Sequence, residues 1–272
     1  MIFNAKSMLL VTCLYIVNVY TAFGQQLPDL SNSSGYISLL QSNLQEEKNF
    51  SRQVFGEIGI DFYQVADPYV NEYEMMITEV NGFFEETGLS FYIGEIKNLP
   101  HSGYSSIKDT MTIYQVEALF SKENRISVFL IDSFMLDSIP GCGYSFFPDK
   151  PDHNSIFIIK NYFNAAELTR MLGHFFGLLN THDSRGGLEM VSGQNCSSSG
   201  DFICDTPADG NILGQVVKCE YVGTKMSISG EFYIPSVANH MSEGPAHCRC
   251  IFTTEQQRRI KYYYSNYREY LH

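Results

Sequence analysis

Residues 170–182, RMLGHFFGLLNTH, form the stretch from which the fold of this 272-residue chain is predicted. Its apolar residues recur at helical spacing and make one stripe, which predicts a helix packed against a core. Asn164 can accept a hydrogen bond from the first turn, and Glu167, three residues later, can reach back to close a capping box. Gly177 is the predicted end of the helix, because the residue after the last turn often needs a positive φ.

Within this helix, His174 and Gly177 keep the spacing of the zinc-binding pattern HExxHxxGxxH. In that pattern, two histidines lie one turn apart on a helix, and a glutamate beside them deprotonates a bound water. The glycine redirects the chain so that a third histidine completes the site. The pattern is incomplete here, because Arg170, Met171 and Asn180 occupy three of its defining positions.

Four other stretches accompany the helix at separations that resemble those of the pappalysin-like (M43) metzincin metalloproteases, especially the secreted bacterial members. They are GYSFFPD at 143–149, NCSSSGDFICDTPADGN at 195–211, ANHMSEG at 238–244 and CRCIFTTEQQRRI at 248–260. The resemblance implies an α/β fold with a metzincin-like mixed twisted β-sheet, two long helices and a loop-rich C-terminal subdomain. It also implies that GYSFFPD lies on the edge-strand side of the sheet, and that Met241 forms a methionine turn beneath the metal position.

The same resemblance assigns a role to each altered position. Arg170 stands at the first zinc histidine, Met171 at the catalytic glutamate and Asn180 at the third histidine. His174 is then the sole retained zinc-ligand position, and Glu243 stands where the family tends to have a tyrosine that steadies the oxyanion. A guanidinium has no lone pair for a cation, and a methionine cannot abstract a proton. We therefore expect no zinc here, and a secreted pseudo-metalloprotease that binds or regulates a polypeptide.

Two arrangements of the remaining groups are open at this point. In the first, Arg170 fills the volume of the zinc and pairs with an acid, either Glu167 one turn earlier or Glu243. In the second, His174, His182 and Glu243 form a rearranged zinc site in an active metalloendopeptidase. The second requires each ligand to reach about 2.0 to 2.2 Å from one metal position.

The loop after the helix contains three aspartates, Asp201, Asp205 and Asp209. Through the resemblance, they correspond to a loop beside the cleft that can hold calcium, a cation that prefers oxygen ligands. The alternative is that these carboxylates cap turns through bonds to nearby backbone amides.

Six cysteines follow the N-terminal segment: Cys142, Cys196, Cys204, Cys219, Cys248 and Cys250. An even count in an exported chain favours disulfides, and six cysteines allow 15 pairings. By likeness to the family, we expect Cys219 to pair with Cys248, and Cys196 with Cys204.

Predicted strands and helices alternate along the rest of the chain, which is typical of an α/β protein. Apolar runs predict strands at 53–63, 89–96, 125–132 and 154–160. Helical spacing predicts a helix over 68–88, a shorter one near 111–121, and a terminal helix that begins at Thr253 or Thr254.

The N-terminus predicts export. Residues 1–24 carry one lysine, no acid and an apolar block followed by small residues, which is the pattern of a signal peptide, and the block is short for a membrane anchor. Residues 25–51 are interpreted as a polar linker or short prosegment, and residues 52–272 as the ordered domain. The net charge of -12 argues against nucleic acid or an anionic membrane as the partner. A secreted or periplasmic location follows.

Overall fold

A computed structural model of the protein describes residues 34–64, 70–100, 103–136 and 139–272. The predicted signal peptide, residues 1–24, lies outside these ranges. Among the described residues, no helix is both long enough and apolar enough to cross a membrane.

The centre of the molecule is a five-stranded, mostly parallel β-sheet, which confirms the predicted mixed α/β class. Its strands are β1 (Gly56–Gln64), β2 (Leu89–Asn98), β4 (Ile126–Ile131), β7 (Gly143–Ser145) and β8 (Ser155–Ile159). They are arranged in the order β2-β1-β4-β8-β7, and only β7 runs antiparallel to its neighbour. The stretch GYSFFPD therefore begins in the edge strand, as expected.

The remaining described strands form two smaller sheets. One contains β3 (Ser106–Ile107), β5 (Ser133–Leu136) and β6 (Ile139–Pro140), and the other contains β9 (Val216–Val217) and β10 (Glu220–Tyr221). The long stretch between residues 186 and 242 has little other regular structure, which agrees with the predicted loop-rich C-terminal subdomain.

The described residues form five α-helices: α1 (Ser34–Lys48), α2 (Val70–Phe84), α3 (Thr110–Phe120), α4 (Ala165–Phe175) and α5 (Thr254–Tyr263). A π-helical turn at Tyr264–Arg268 follows α5. Alternate residues of the inner strands face two cores. For example, Val128 of β4 packs with residues of α2, α4 and α5, whereas its neighbour Phe129 packs with residues of α3. Helices therefore cover both faces of the sheet, which explains why β4 is buried along its whole length.

The predicted start of helix α4 is confirmed, but the predicted capping box is absent. The Asn164 side chain accepts a hydrogen bond from the Glu167 amide at 3.0 Å, and Gly177 has a φ of 90° just beyond the last turn. The capping box predicted at Glu167 is wrong, because its carboxylate instead accepts a hydrogen bond from Arg249 at 2.8 Å. A complete capping box is present at the start of α5, between Thr253 and Gln256.

The prediction of a polar linker over residues 25–51 is wrong for residues 34–48, which form helix α1 and pack on α5. Tyr36 and Leu40 are fully buried in this contact. The periodicity of the segment is weak because few apolar residues carry the packing, and the partners of α1 lie at the other end of the chain.

Both expected disulfides are present, Cys196 with Cys204 and Cys219 with Cys248. Cys142 and Cys250 are exposed. Two disulfides fit an extracellular or periplasmic protein.

Candidate functional site

The candidate site is built on α4, which packs against β7, β8 and α2. All eleven of its residues are buried. Met171, at the predicted position of the catalytic glutamate, faces the main core, where its Sδ lies 3.3 Å from the point that a Cβ on Gly143 would occupy. Because the helix is buried on every side, each of its polar side chains needs a specific partner inside the protein.

Arg170 lies at the centre of a buried polar cluster and does not point to solvent. Its Nη2 donates hydrogen bonds to Glu243 Oε1 at 2.5 Å and to Asn180 Oδ1 at 2.9 Å. Its Nε donates to the same Asn180 oxygen at 3.2 Å, and its Nη1 lies 3.6 Å from Glu167 Oε1. The guanidinium therefore contacts both acids that the sequence suggested as partners.

The charges of this cluster are balanced. Burial alone would lower the pKa of Arg170, but the carboxylates of Glu243 and Glu167 outweigh burial and raise it above its usual value. Burial raises the pKa of Glu243, but positive charges, led by Arg170, outweigh it and hold that pKa below its usual value. Glu167 also pairs with the buried Arg249. Two arginines and two glutamates thus neutralise one another.

His174, the predicted zinc-ligand position, is a neutral core residue. Its Nδ1 lies 2.8 Å from the Leu178 carbonyl oxygen, so this nitrogen carries the proton and donates it. Burial first, and the charge of Arg170 second, lower the pKa of His174 to about 3. The ring also contacts Phe147, with 5.4 Å between the ring centroids.

The methionine turn lies directly beneath α4. Met241 is fully buried, and its Sδ lies 2.7 Å from the point that a Cβ on Gly173 would occupy. Its carbonyl oxygen accepts a hydrogen bond from the Thr181 amide at 3.0 Å, which ties the turn to the segment after the helix. Gly173 is therefore required by the close approach of the methionine sulfur.

The residues present do not fit a catalytic zinc. Asn180 uses its side-chain oxygen to bind Arg170, and His182 Nε2 lies 4.0 Å from Glu243 Oε1, which is already paired. Among the described residues, one group of three possible metal ligands has all its ligand atoms within 4.8 Å of one another. This group is Cys219, His247 and Cys248. Two of those sulfurs form a disulfide. The set His174, His182 and Glu243 is not brought together.

The three predicted calcium aspartates do not form one group. Asp205 is exposed and accepts a hydrogen bond from the Glu255 amide at 2.8 Å. Asp201 is fully buried and accepts one from Thr206 Oγ1 at 3.1 Å, whereas Asp209 accepts one from Thr181 Oγ1 at 2.6 Å. Asp201 and Asp209 also accept hydrogen bonds from the amides two residues later, Ile203 at 3.0 Å and Asn211 at 2.7 Å, which is the kind of bond expected for turns. The bond of Asp205 reaches a residue 50 positions away.

Glu189 joins Asp201 and Asp209 in a buried acidic cluster that the sequence did not suggest. Burial first, and the charge of Asp209 second, raise the pKa of Glu189 to about 7. Burial raises the pKa of Asp201 well above its usual value, and the charge of Glu189 adds to this effect. Glu189 Oε2 and Asp201 Oδ2 are buried without a hydrogen-bond partner among the described residues. Carboxylate oxygens are the ligands that a hard cation such as calcium prefers, but the ligand atoms of these three residues do not all lie within 4.8 Å of one another.

The comparisons with known proteins bear on the fold. No family model and no curated protein sequence matches the chain. A mutant of Tannerella forsythia promirolysin superposes with a TM-score of 0.62 at 15% identity, covering 87% of this chain and 90% of that one. Metalloproteinase-II from Bacteroides fragilis superposes with a TM-score of 0.32 at 11% identity, covering 60% of this chain and 56% of that one. This superposition is too weak to indicate a shared fold. The strand order and the promirolysin superposition lead to one conclusion: the chain has a metzincin-like metalloprotease fold.

Proposed function

We propose that the protein is an exported member of the pappalysin-like (M43) metzincins that does not hydrolyse peptide bonds and instead binds a polypeptide. The observation that carries the first part is the buried Arg170, held by Glu243 and Asn180 at the position expected for a zinc histidine. The assignment to the M43 group rests on the five sequence stretches and their spacing. Export rests on the N-terminal pattern of residues 1–24 and on the two disulfides.

The charge of Arg170 is the physical reason for excluding zinc. Two unit charges 4 Å apart repel by about 4 kcal/mol at an effective dielectric constant of about 20, and a zinc ion carries two. The residue that would activate water is also missing, because Met171 has no basic atom and faces the core. Metal binding and proton transfer therefore fail for independent reasons.

Metal content and proteolysis test the loss of activity. We expect the purified protein to contain much less than one equivalent of zinc, and to leave casein and gelatin intact with or without a chelator. Stoichiometric zinc, together with chelator-sensitive cleavage that disappears in His174→Ala, would establish the rival function of an active metalloendopeptidase.

A reconstructed motif gives a sharper test. The triple variant Arg170→His, Met171→Glu, Asn180→His restores the zinc-binding pattern on the existing helix. We expect it to bind about one equivalent of zinc, while the control Arg170→Met, which removes only the cation, binds none. Equal zinc binding by the unmodified protein and the triple variant would show that Arg170 does not exclude the metal.

The polypeptide-binding part of the proposal rests on the fold. Strand β7 lies at one edge of the central sheet, and a sheet edge can receive an extended peptide as an added strand. The residues of β7 are buried, so such binding requires the residues that cover them to move. Fluorescein-labelled casein tests this part: binding without cleavage raises its anisotropy to a stable value. An anisotropy that does not change with protein concentration contradicts the binding role.

We also propose that the protein binds calcium. We assign it to Asp201, Glu189 and Asp209, because two of these carboxylates have a buried oxygen without a partner among the described residues. Calcium would have to draw the three side chains together, since their ligand atoms are not all within 4.8 Å of one another. Asp205 is left out because it is exposed and bonded to the start of α5. The supplied charge would stabilise the ionised carboxylates in the loop beside the methionine turn.

A further inference from the structure

We propose that helix α1, Ser34–Lys48, is a permanent part of the folded domain, docked in a dedicated surface behind the candidate site, and that it is not a prosegment that leaves the mature protein. This inference is independent of the function proposed above. It rests on the contacts that α1 makes with the end of α4 and with α5.

A buried ion pair joins the C-terminal end of α1 to α5. Glu47 Oε1 accepts a hydrogen bond from Arg259 Nε at 2.9 Å, and Arg259 is fully buried. The other nitrogens of Arg259 donate to the carbonyl oxygens of Asp201 and Phe202, which are neutral groups. Glu47 therefore supplies the carboxylate for a cation that has no access to water. Removal of α1 takes away the carboxylate that is bonded to Arg259 and uncovers the surface around this cation.

Two further polar contacts extend along the same surface. Asn43 Nδ2 donates to Tyr267 Oη at 2.8 Å, and Tyr262 Oη donates to Glu46 Oε2 at 3.0 Å. Leu40, about one turn before Asn43, is fully buried in a cluster with aromatic rings of the C-terminal segment. An ion pair, hydrogen bonds and buried apolar side chains therefore all hold α1 on α5 and the segment that follows it.

The N-terminal end of α1 reaches the candidate site through Tyr36. Its hydroxyl donates a hydrogen bond to the carbonyl oxygen of Gly177, the residue that ends α4. Its ring stacks on Phe147 with 4.5 Å between centroids, and Phe147 in turn contacts the ring of His174. Tyr36 is thus a positioning residue for His174, acting through Phe147 and through the turn after the helix.

Gly177 shows how closely this surface is fitted to α1. A Cβ at this glycine would lie 2.8 Å from Tyr36 Oη and 2.6 Å from Tyr263 Cδ2. The backbone also needs the glycine for its φ of 90°. The end of α4 is therefore enclosed between a residue of α1 and a residue of α5.

Cleavage of the full-length chain tests permanence. A recognition sequence for a site-specific protease is inserted between Ser51 and Arg52, in an exposed stretch just after the helix. After cleavage, we expect the N-terminal fragment to co-elute with the remainder in native buffer and to separate in guanidinium chloride. Separation with unfolding of the remainder also supports the proposal. A fragment that leaves in native buffer, while the remainder keeps its melting temperature, overturns it.

Point variants test the individual contacts. We expect Glu47→Gln and Tyr36→Ala each to lower the melting temperature by roughly 6 °C or more, because one leaves a buried cation unpaired and the other opens a cavity. The matched control is Gln41→Ala, on the exposed face of the same helix, which should change nothing. Equal melting temperatures for all three variants contradict a structural role of α1.

The positioning role has a separate readout. In Tyr36→Ala, we expect the NMR resonances of the His174 ring to shift, because Phe147 loses the ring that supports it. Tyr36→Phe keeps the stacked ring and should return the His174 resonances close to their original positions. If the Tyr36→Ala resonances do not move although the protein is less stable, Tyr36 is structural only and does not position His174.

Discussion

At the scale of single residues, the charge of Arg170 determines what the site can hold. In water a guanidinium needs no protein partner, but at 8% exposure it must be neutralised inside the molecule. Glu243 and Glu167 provide the negative charge, and the side-chain oxygen of Asn180 provides a neutral hydrogen-bond acceptor. The predicted metal position is thus occupied by an internal ion-pair network.

The first prediction tests this network by breaking it. Glu243→Gln should lower the free energy of unfolding by about 3 kcal/mol, because Arg170 stays buried and charged while its closest carboxylate is lost. The double variant Arg170→Met, Glu243→Gln should recover part of that loss, since no buried cation is left. Denaturant unfolding of the single and double variants measures the coupling, and strictly additive losses would contradict it.

The second prediction concerns Glu189, whose pKa in the folded protein is raised to about 7 from an ordinary value of 4.5. Between these two values the folded state binds more protons than the unfolded state, so its contribution to stability is lost as the pH rises. We expect this loss to be on the order of 2 kcal/mol between pH 5 and pH 8 without calcium. It should be absent in Glu189→Gln.

Calcium reverses the direction of this effect, because it favours the ionised carboxylates. Unfolding free energies of the unmodified protein and Glu189→Gln, measured at pH 5 and pH 8 with a chelator and with millimolar calcium, test both statements. Glu220→Gln, which changes an exposed acid, serves as the control. A difference between the two proteins that is the same at both pH values contradicts the assignment.

At the scale of secondary-structure elements, the π-helical turn after α5 anchors the loop that follows β7. Arg268 is fully buried there, and burial lowers its pKa. It donates hydrogen bonds to the His153 carbonyl oxygen at 2.7 Å and to Asn154 Oδ1 at 2.9 Å. Its guanidinium carbon lies 3.9 Å from the centre of the Phe175 ring, on the candidate-site helix. One side chain thus connects the C-terminus, the loop and α4.

The third prediction follows from this geometry. Arg268→Lys should lower the free energy of unfolding by about 2 to 4 kcal/mol, since an ammonium cannot reproduce the planar fork or its stacking on Phe175. Arg258→Lys is the matched control: Arg258 pairs with Glu255 within the same helix at partial exposure, and its change should be below about 0.5 kcal/mol. Comparable losses for the two variants would show that the fork geometry of Arg268 is unimportant.

At the scale of the whole molecule, two disulfides stabilise a C-terminal half that has little regular structure. Cys219–Cys248 spans 29 residues and ties the β9–β10 ribbon to the segment before α5, whereas Cys196–Cys204 spans only 8. Cross-links that close longer loops remove more conformational entropy from the unfolded chain. The longer bridge should therefore contribute more stability.

The fourth prediction compares the two bridges. The paired change Cys219→Ser, Cys248→Ser should lower the free energy of unfolding by about 3 to 4 kcal/mol, and the paired change Cys196→Ser, Cys204→Ser by about 2 to 3 kcal/mol. Guanidinium unfolding of the two double variants measures the order. A larger loss from the shorter bridge would show that native packing around Cys196 and Cys204, and not loop closure, determines the effect.

Features that depend on neighbouring residues or on a spaced pattern were predicted from the sequence, whereas features that depend on distant partners were not. The limits of α4, the start of α5 and the edge position of GYSFFPD are local or follow a spaced pattern, and each was predicted. Helix α1 and Glu189 were missed. The first has weak periodicity because its partners lie on α5, and the second lies 12 residues from Asp201 in a loop that carries no pattern.

The sequence by itself determined that a helix would start at Asn164, end near Gly177 and carry a permanent positive charge at Arg170, because capping, positive φ and ionisation depend on near neighbours and on side-chain chemistry. Only the tertiary structure decided how the buried charges are paired. Glu243 is 73 residues from Arg170, Arg249 is 82 from Glu167, and Glu47 is 212 from Arg259. An exposed charge is satisfied by water, so the need for a particular partner arises only when folding removes the water.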